Sequence, residues 1–221
     1  MRCKPFSVFA RLKQKKSSNY VVRKIGCRRL APTAQSVGWQ PLKQDYMNQY
    51  IWLLPLLFVF HDFEEIIGMR AWTARNAADI CQRFPRFAFI FKSTTTEGFA
   101  LAVAEEFVLL LIICGVTFTG IRVFNLLWLG TFIAFTLHLV VHIGQAVVIR
   151  KYIPALATSV FVLPVSLWLI ADCIKVSDFS PIEIIVYSLA ATVAVGANLL
   201  LAHWLARKFG EWLERKFKHG C

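Results

Sequence analysis

Five long apolar segments dominate the chain after residue 47 and limit the folds that it can adopt. A helix that crosses about 30 Å of hydrocarbon needs about 20 residues, and each segment reaches that length. The links between the second, third and fourth segments are only a few residues long, which favours tight antiparallel packing. We therefore predict an all-α membrane bundle of about five transmembrane helices, over residues 50–69, 99–120, 123–149, 153–173 and 182–206.

The overall composition agrees with a membrane protein. Hydrophobic residues make up 57% of the 221 residues and charged residues 17%, whereas soluble domains average about 45–50% and about 25%. The 19 Phe and 7 Trp argue against intrinsic disorder. The six Cys are scattered and form no C-x-x-C pair, which argues against a disulfide framework or a zinc finger.

The net charge of +12 is concentrated at the start of the chain, where residues 1–46 hold eleven Lys or Arg and one acid. Without these residues, the positive-inside rule places the 70–98 loop and the basic tail together on the cytoplasmic side. With them, the two sides of the membrane carry nearly equal numbers of Lys and Arg residues. We therefore predict three regions: a basic extension over 1–46, a transmembrane domain over 47–206 and a basic amphipathic tail over 207–221. The extension is either an over-extended start before Met47 or a genuine basic or targeting arm.

The first apolar segment contains the sequence His-Asp-Phe-Glu-Glu at positions 61–65. An ionised residue at the centre of a membrane helix costs roughly 2.5–3.5 kcal/mol, so three unpaired carboxylates there require compensation. At 3.6 residues per turn, Glu64 and Glu65 flank His61 on one helix face, with Asp62 at its edge. Intramembrane ionisable residues of this kind indicate a functional centre.

The second and third segments carry further polar residues at matching depth. Glu105 and Glu106 are adjacent, so we expect only one of them to face the centre. His138 and His142 lie one turn apart, a spacing that suits two imidazoles on one metal ion. With a rise of about 1.5 Å per residue, Glu65, Glu105 and His138 all fall about 21–22 Å from the start of the first helix.

These motifs resemble a family of bacterial integral membrane proteins named for its HXXEE motif, here His61-x-x-Glu64-Glu65. The family has a further His followed by a Y-x-P-G motif, and His142 here precedes Tyr152-Ile153-Pro154-Ala155. Ala155 replaces the glycine of that motif, which calls a glycine-dependent turn into question. The resemblance covers about residues 47–164 and implies a bacterial cytoplasmic membrane; it implies no activity.

We interpret the centre as a metal-dependent membrane enzyme, hydrolase-like, that acts on a lipid or another apolar small molecule. Enzymatic activity itself stays open at this stage. The predicted cofactor is a divalent metal, zinc or iron, and a carboxylate would act as general base toward a metal-bound water. The predicted metal ligands are His61, Glu65, Glu105, His138 and His142, and the predicted catalytic residues are Glu64, Glu65 and Glu105.

Two other functions remain open from the sequence. Intramembrane Glu and His residues also form proton relays, so a proton-coupled transporter is the main alternative, although no internal repeat supports it. A non-catalytic membrane subunit is the other. The Lys and Arg clusters favour contact with anionic membrane lipids, and nothing in the sequence indicates a nucleic-acid partner.

Overall fold

The computed structural model describes Asp45, residues 47–85 and residues 95–217. Five α-helices account for most of these residues: α1 (Leu53–Arg83), α2 (Thr96–Thr117), α3 (Arg122–Ile149), α4 (Leu156–Val176) and α5 (Pro181–Phe217). The described residues contain no strand. The predicted all-α bundle is therefore confirmed. The predicted extension over 1–46 falls almost wholly outside the described residues.

Helices α2, α3, α4 and α5 are each long and apolar enough to cross a membrane. Helix α1 has 31 residues, but its buried face carries His61, Asp62 and Glu65. It packs directly against α2 and α4 and contacts α3. The chain is thus an integral membrane protein built as a helical bundle, and α1 buries three ionisable residues on its packed face.

The first helix is longer than the sequence suggested, because α1 continues to Arg83 instead of ending near Met69. Hydropathy falls after Met69, yet alanine and arginine are good helix formers and no proline intervenes before Pro85. The extension is tied to the α3–α4 link, where the Lys151 Nζ atom lies 2.9 Å from the Asp79 Oδ2 atom. Lys151 also holds the pKa of the exposed Asp79 carboxyl below its usual value.

Helix α5 packs closely on α2 and α3 because glycines replace larger residues where the backbones meet. A Cβ atom at Gly130 would lie 2.7 Å from the Tyr187 carbonyl oxygen, and one at Gly98 would lie 2.3 Å from that of Ala206. Small residues at helix interfaces are how membrane helices approach each other. Helix α5 also runs without a break through residues 206 and 207, so the predicted amphipathic tail continues the fifth span up to Phe217.

Hydrogen bonds fix the ends of several helices. Ser180 and Glu183 cap the start of α5 reciprocally, each backbone N–H donating to the side chain of the other. The Glu183 carboxylate also accepts from the Arg122 guanidinium through two nitrogens, at 2.6 and 2.9 Å. This two-point pairing holds the start of α3 against the start of α5.

The link between α3 and α4 makes the tight turn that the sequence left in question. Ala155 adopts a left-handed conformation with φ of 79° and is fully buried, although a side chain there costs about 1–2 kcal/mol. Pro154 contacts α1 at Gly68, where an added Cβ would lie 3.1 Å from the proline ring. The start of α4 is consequently pressed against the middle of α1, beside the polar residues of the first span.

Candidate metal centre

Three histidines and one glutamate converge between α1 and α3. Each of His61, Glu65, His138 and His142 offers a ligand atom within 4.8 Å of those of the other three. His61 is fully buried, and His142 and Glu65 are 7% and 6% exposed. The structure thus brings together four of the five residues that the sequence suggested as metal ligands.

The spacing of the ligand atoms resembles that of a metal site. The Nε2 atoms of His138 and His142 lie 2.8 Å apart, and the His142 Nε2 atom lies 3.0 Å from the Glu65 Oε1 atom. An ion with bonds of about 2.0–2.1 Å in tetrahedral geometry would separate its ligand atoms by roughly 3.3 Å. Small side-chain rotations therefore suffice to admit an ion between these atoms.

Local helix geometry explains the pairing of the ligands. His138 and His142 are four residues apart on α3, so their rings project from the same face and meet edge to face, with centroids 4.3 Å apart. His61 and Glu65 are likewise four residues apart on α1. The His61 ring faces both imidazoles of α3, with centroid distances of 5.6 and 5.1 Å. One turn of each helix thus supplies two ligands.

The centre contains buried polar atoms with no hydrogen-bond partner among the described residues, including the His61 Nε2 atom and the Glu65 Oε1 atom. Such atoms are costly inside a protein unless water or an ion satisfies them. Glu65 does have His142 within ion-pair distance, so its oxygen is close to a nitrogen without forming an aligned hydrogen bond. The chemistry of three imidazoles and one carboxylate fits zinc or iron.

Two more carboxylates with unsatisfied oxygens lie beside this group. The Asp62 Oδ2 and Glu106 Oε1 atoms are buried and have no hydrogen-bond partner in the described part of the chain. Both side chains interact electrostatically with Glu65. The sequence identified Asp62 only as the edge of the polar arc. It named Glu105, and not Glu106, as the acidic residue of the second span at the centre.

Glu105 lies outside the group of four. Its Oε2 atom accepts a hydrogen bond from the Asn198 side chain of α5 at 3.2 Å. A rotation of about 100° about the helix axis separates adjacent side chains, so Glu105 turns toward α5 whereas Glu106 interacts with the carboxylates of α1. The geometry consequently does not support Glu105 as a ligand, and Glu106 is the acidic residue of α2 near the centre.

Glu64, predicted as a catalytic residue, accepts four hydrogen bonds. Its Oε1 atom accepts from the Tyr152 hydroxyl and from the backbone N–H of Ala157, and its Oε2 atom accepts from the backbone N–H and the hydroxyl of Thr158. A carboxylate has about four lone-pair positions. Glu64 therefore serves as an anionic cap on the start of α4, an arrangement that favours a structural role over a general-base role.

Tyr152 remains a hydrogen-bond donor across the physiological pH range. Its hydrogen bond to Glu64, followed by partial burial, raises the pKa of the Tyr152 phenol to about 12. The Trp72 indole N–H also donates to the Tyr152 carbonyl oxygen. The second motif of the chain, Tyr152 to Ala155, thus meets the first motif directly, and neither motif alone forms this corner of the bundle.

The model of a protein family described as "protein of unknown function with HXXEE motif" matches residues 52–169, more than half of the chain. The chain belongs to the HXXEE family. Comparison with curated proteins and with solved structures gave no match. The matched region includes all four members of the candidate metal-binding group, namely His61, Glu65, His138 and His142, and ends within α4.

Proposed function

We propose that this HXXEE protein is a metal-dependent enzyme of the membrane, with its ion held by the imidazoles of His61, His138 and His142. The observation that carries the proposal is the convergence of three buried imidazoles and Glu65 within 4.8 Å. A structural hydrogen-bond network would satisfy its own polar atoms, whereas the His61 Nε2 atom has no partner among the described residues.

A bound zinc or iron ion would polarise water or a substrate oxygen as a Lewis acid. Three histidine ligands leave a fourth position open, as catalytic zinc sites do. Glu65 lies beside the ligand atoms, with its Oε1 atom 3.0 Å from the His142 Nε2 atom. We assign Glu65 to accept the proton of an attacking water, which makes hydrolysis the reaction class that the site supports best.

The substrate is inferred from the position of the centre. The ligands lie on α1 and α3 within the bundle, and the surrounding helices expose apolar side chains over most of their length. A lipid or another apolar small molecule can approach such a site from the bilayer. Because the motifs resemble those of bacterial membrane proteins, we propose that the protein acts in a bacterial cytoplasmic membrane, in contact with membrane lipids.

Metal analysis of detergent-purified protein tests the ion. We expect about one zinc or iron per chain in the parent and loss of that ion in His142→Ala. His203→Ala is the matched control, because the hydrogen bond that the described structure gives the His203 ring goes to its own helix, to the Leu199 carbonyl oxygen at 2.8 Å. A parent without stoichiometric metal after reconstitution with zinc or iron would overturn the proposal, as would equal metal content in all three proteins.

Glu65→Gln tests the catalytic assignment, with p-nitrophenyl acyl esters of several chain lengths as probes. General bases contribute about 10²–10⁴-fold to rates, so we expect at least a 100-fold loss of turnover with the metal retained. If Glu65→Gln loses its ion together with His142→Ala, Glu65 is a ligand and its assignment as base is wrong.

The unsatisfied oxygens of Asp62 and Glu106 favour one second candidate, a proton-coupled carrier. Proton flux into liposomes containing the purified protein distinguishes the two functions. Flux that Asp62→Asn abolishes, in a protein that hydrolyses no ester, would support the carrier. The absence of flux together with metal-dependent hydrolysis would support the enzyme.

A further inference from the structure

A chain of hydrogen bonds runs from Glu64 through Thr158 to His61, one of the proposed ligands. The Thr158 hydroxyl oxygen of α4 lies 3.1 Å from the His61 Nδ1 atom and 2.6 Å from the Glu64 Oε2 atom. Thr158 is thus the only described residue with a hydrogen bond to both the first histidine and the first glutamate of the HXXEE motif. The sequence of the motif itself, residues 61–65, gives no sign of this contact.

The proton positions along this chain follow from the chemistry of its groups. An ionised carboxylate only accepts hydrogen bonds, and a hydroxyl carries one proton. The Thr158 hydroxyl therefore donates to Glu64, since its other acceptor, the Ala155 carbonyl oxygen, lies farther away at 3.3 Å. The Thr158 oxygen must then accept a proton from His61, which places the imidazole proton on Nδ1.

This proton assignment determines which nitrogen of His61 can bind an ion. With the proton on Nδ1, the lone pair lies on Nε2, and the Nε2 atom is the one that is buried without a partner among the described residues. Metal-binding histidines commonly donate their other N–H to an oxygen, which fixes the tautomer and the ring orientation. The ring of His61 has that arrangement through Thr158.

We propose that Thr158 and Glu64 are positioning residues that hold His61 in the tautomer whose Nε2 atom binds the ion. This inference rests on the metal centre of the proposed function. It gives the two glutamates of the motif different roles. Glu64 orients His61 through Thr158, whereas Glu65 faces the ligand atoms themselves. Tyr152 and the backbone N–H groups of Ala157 and Thr158 hold Glu64 in place.

Cobalt affinity, measured by competition with a chelator, tests the positioning. Loss of an outer hydrogen-bond partner typically weakens metal binding by about 10–100-fold, and we expect this loss in Thr158→Val. Thr158→Ser keeps the hydroxyl and should bind cobalt within about 3-fold of the parent. Thr131→Val is the matched control, because the hydrogen bond of that α3 hydroxyl in the described structure goes to the Leu127 carbonyl oxygen of its own helix.

The Glu64→Gln variant tests whether both residues act by one route. We expect a loss of cobalt affinity similar to that of Thr158→Val, and a double variant no weaker than the weaker single variant, since the two changes remove the same chain. Additive losses would show that Glu64 acts independently of Thr158, and would overturn the shared route.

A tautomer measurement keeps the inference testable without any metal. Nitrogen NMR of protein labelled with ¹⁵N-histidine reports which ring nitrogen carries the proton, and the His61 signal is identified by its loss in His61→Ala. We expect Nδ1–H in the parent and a shift toward Nε2–H in Thr158→Val. A parent that binds cobalt while Thr158→Val matches it in affinity and tautomer overturns the positioning role alone; a parent that binds no cobalt overturns the metal centre.

Discussion

Two of the polar contacts between the described helices differ in how completely their atoms are paired. On one side, Asn198 of α5 donates to Glu105 of α2. On the other, the metal-binding group of α1 and α3 leaves the His61 Nε2 and Glu65 Oε1 atoms without a hydrogen bond in the described structure. The first contact joins one donor to one acceptor, whereas the second has a hydrogen bond between His138 and His142 and leaves further buried lone pairs unpaired in the described structure.

This difference separates polar residues that join two helices from polar residues that could bind an ion. Hydrogen bonds between membrane helices contribute about 0.6 kcal/mol on average, enough to orient two helices but little more. Lone pairs that converge in a buried space are unfavourable until a cation arrives. A count of donors and acceptors therefore distinguishes the two regions better than the mere presence of ionisable residues does.

The largest difference is expected in how metal changes thermal stability. A ligand at 100 to 1,000 times its dissociation constant stabilises the folded state by about 2.7–4.1 kcal/mol. Zinc should therefore raise the midpoint of thermal unfolding of the parent and of Asn198→Ala, but not that of His138→Ala. A chelator titration serves as the control. Equal loss of the zinc effect in both variants would remove the distinction between the two regions.

A smaller effect is expected at the α3–α4 turn beside the centre, which has no counterpart at the Glu105–Asn198 contact. Ala155→Gly relieves the left-handed strain at φ of 79°. The greater freedom of glycine in the unfolded chain offsets part of the gain, so we expect roughly 0.5–1 kcal/mol of stabilisation in denaturant unfolding. Ala157→Gly, inside α4, is the control and should destabilise. Destabilisation by Ala155→Gly would show that the turn is not strained.

The smallest effect is expected at the Glu105–Asn198 contact itself. A double-mutant cycle with Glu105→Ala and Asn198→Ala should give a coupling free energy of about 0.6 kcal/mol, and at most about 1.7 kcal/mol. Metal content should be unchanged in all three variants. If Glu105→Ala lowered metal content instead, Glu105 would belong to the centre, as its position in the sequence first suggested.

The fold was largely predictable because membrane helices are recognised in a sequence by their length and hydropathy. The predicted second span, 99–120, corresponds to α2 at Thr96–Thr117, and the predicted third span corresponds closely to α3. The end of α1 was not predictable in this way. Hydropathy reports where a chain leaves the apolar layer, whereas the helix continues until Pro85 prevents it.

The site was predictable only where its contacts are local. The spacing of His138 and His142 places both rings on one face of a helix, and the structure pairs them. Depth alone could not choose between Glu105 and Glu106, because an error of one residue rotates a side chain by about 100°. Thr158 gave no signal at all, since it reaches His61 across 97 positions of sequence.

That separation has a consequence for the order in which the protein is made. His61 leaves the ribosome long before Thr158, so the partner that orients it is missing while the first three helices enter the bilayer. The early intermediate has the three histidines and Glu65, but it lacks the hydrogen bond between His61 and Thr158. On the proposed function, the fully oriented centre would form only once α4 has been inserted, and the newly made chain would bind its ion most tightly after that step.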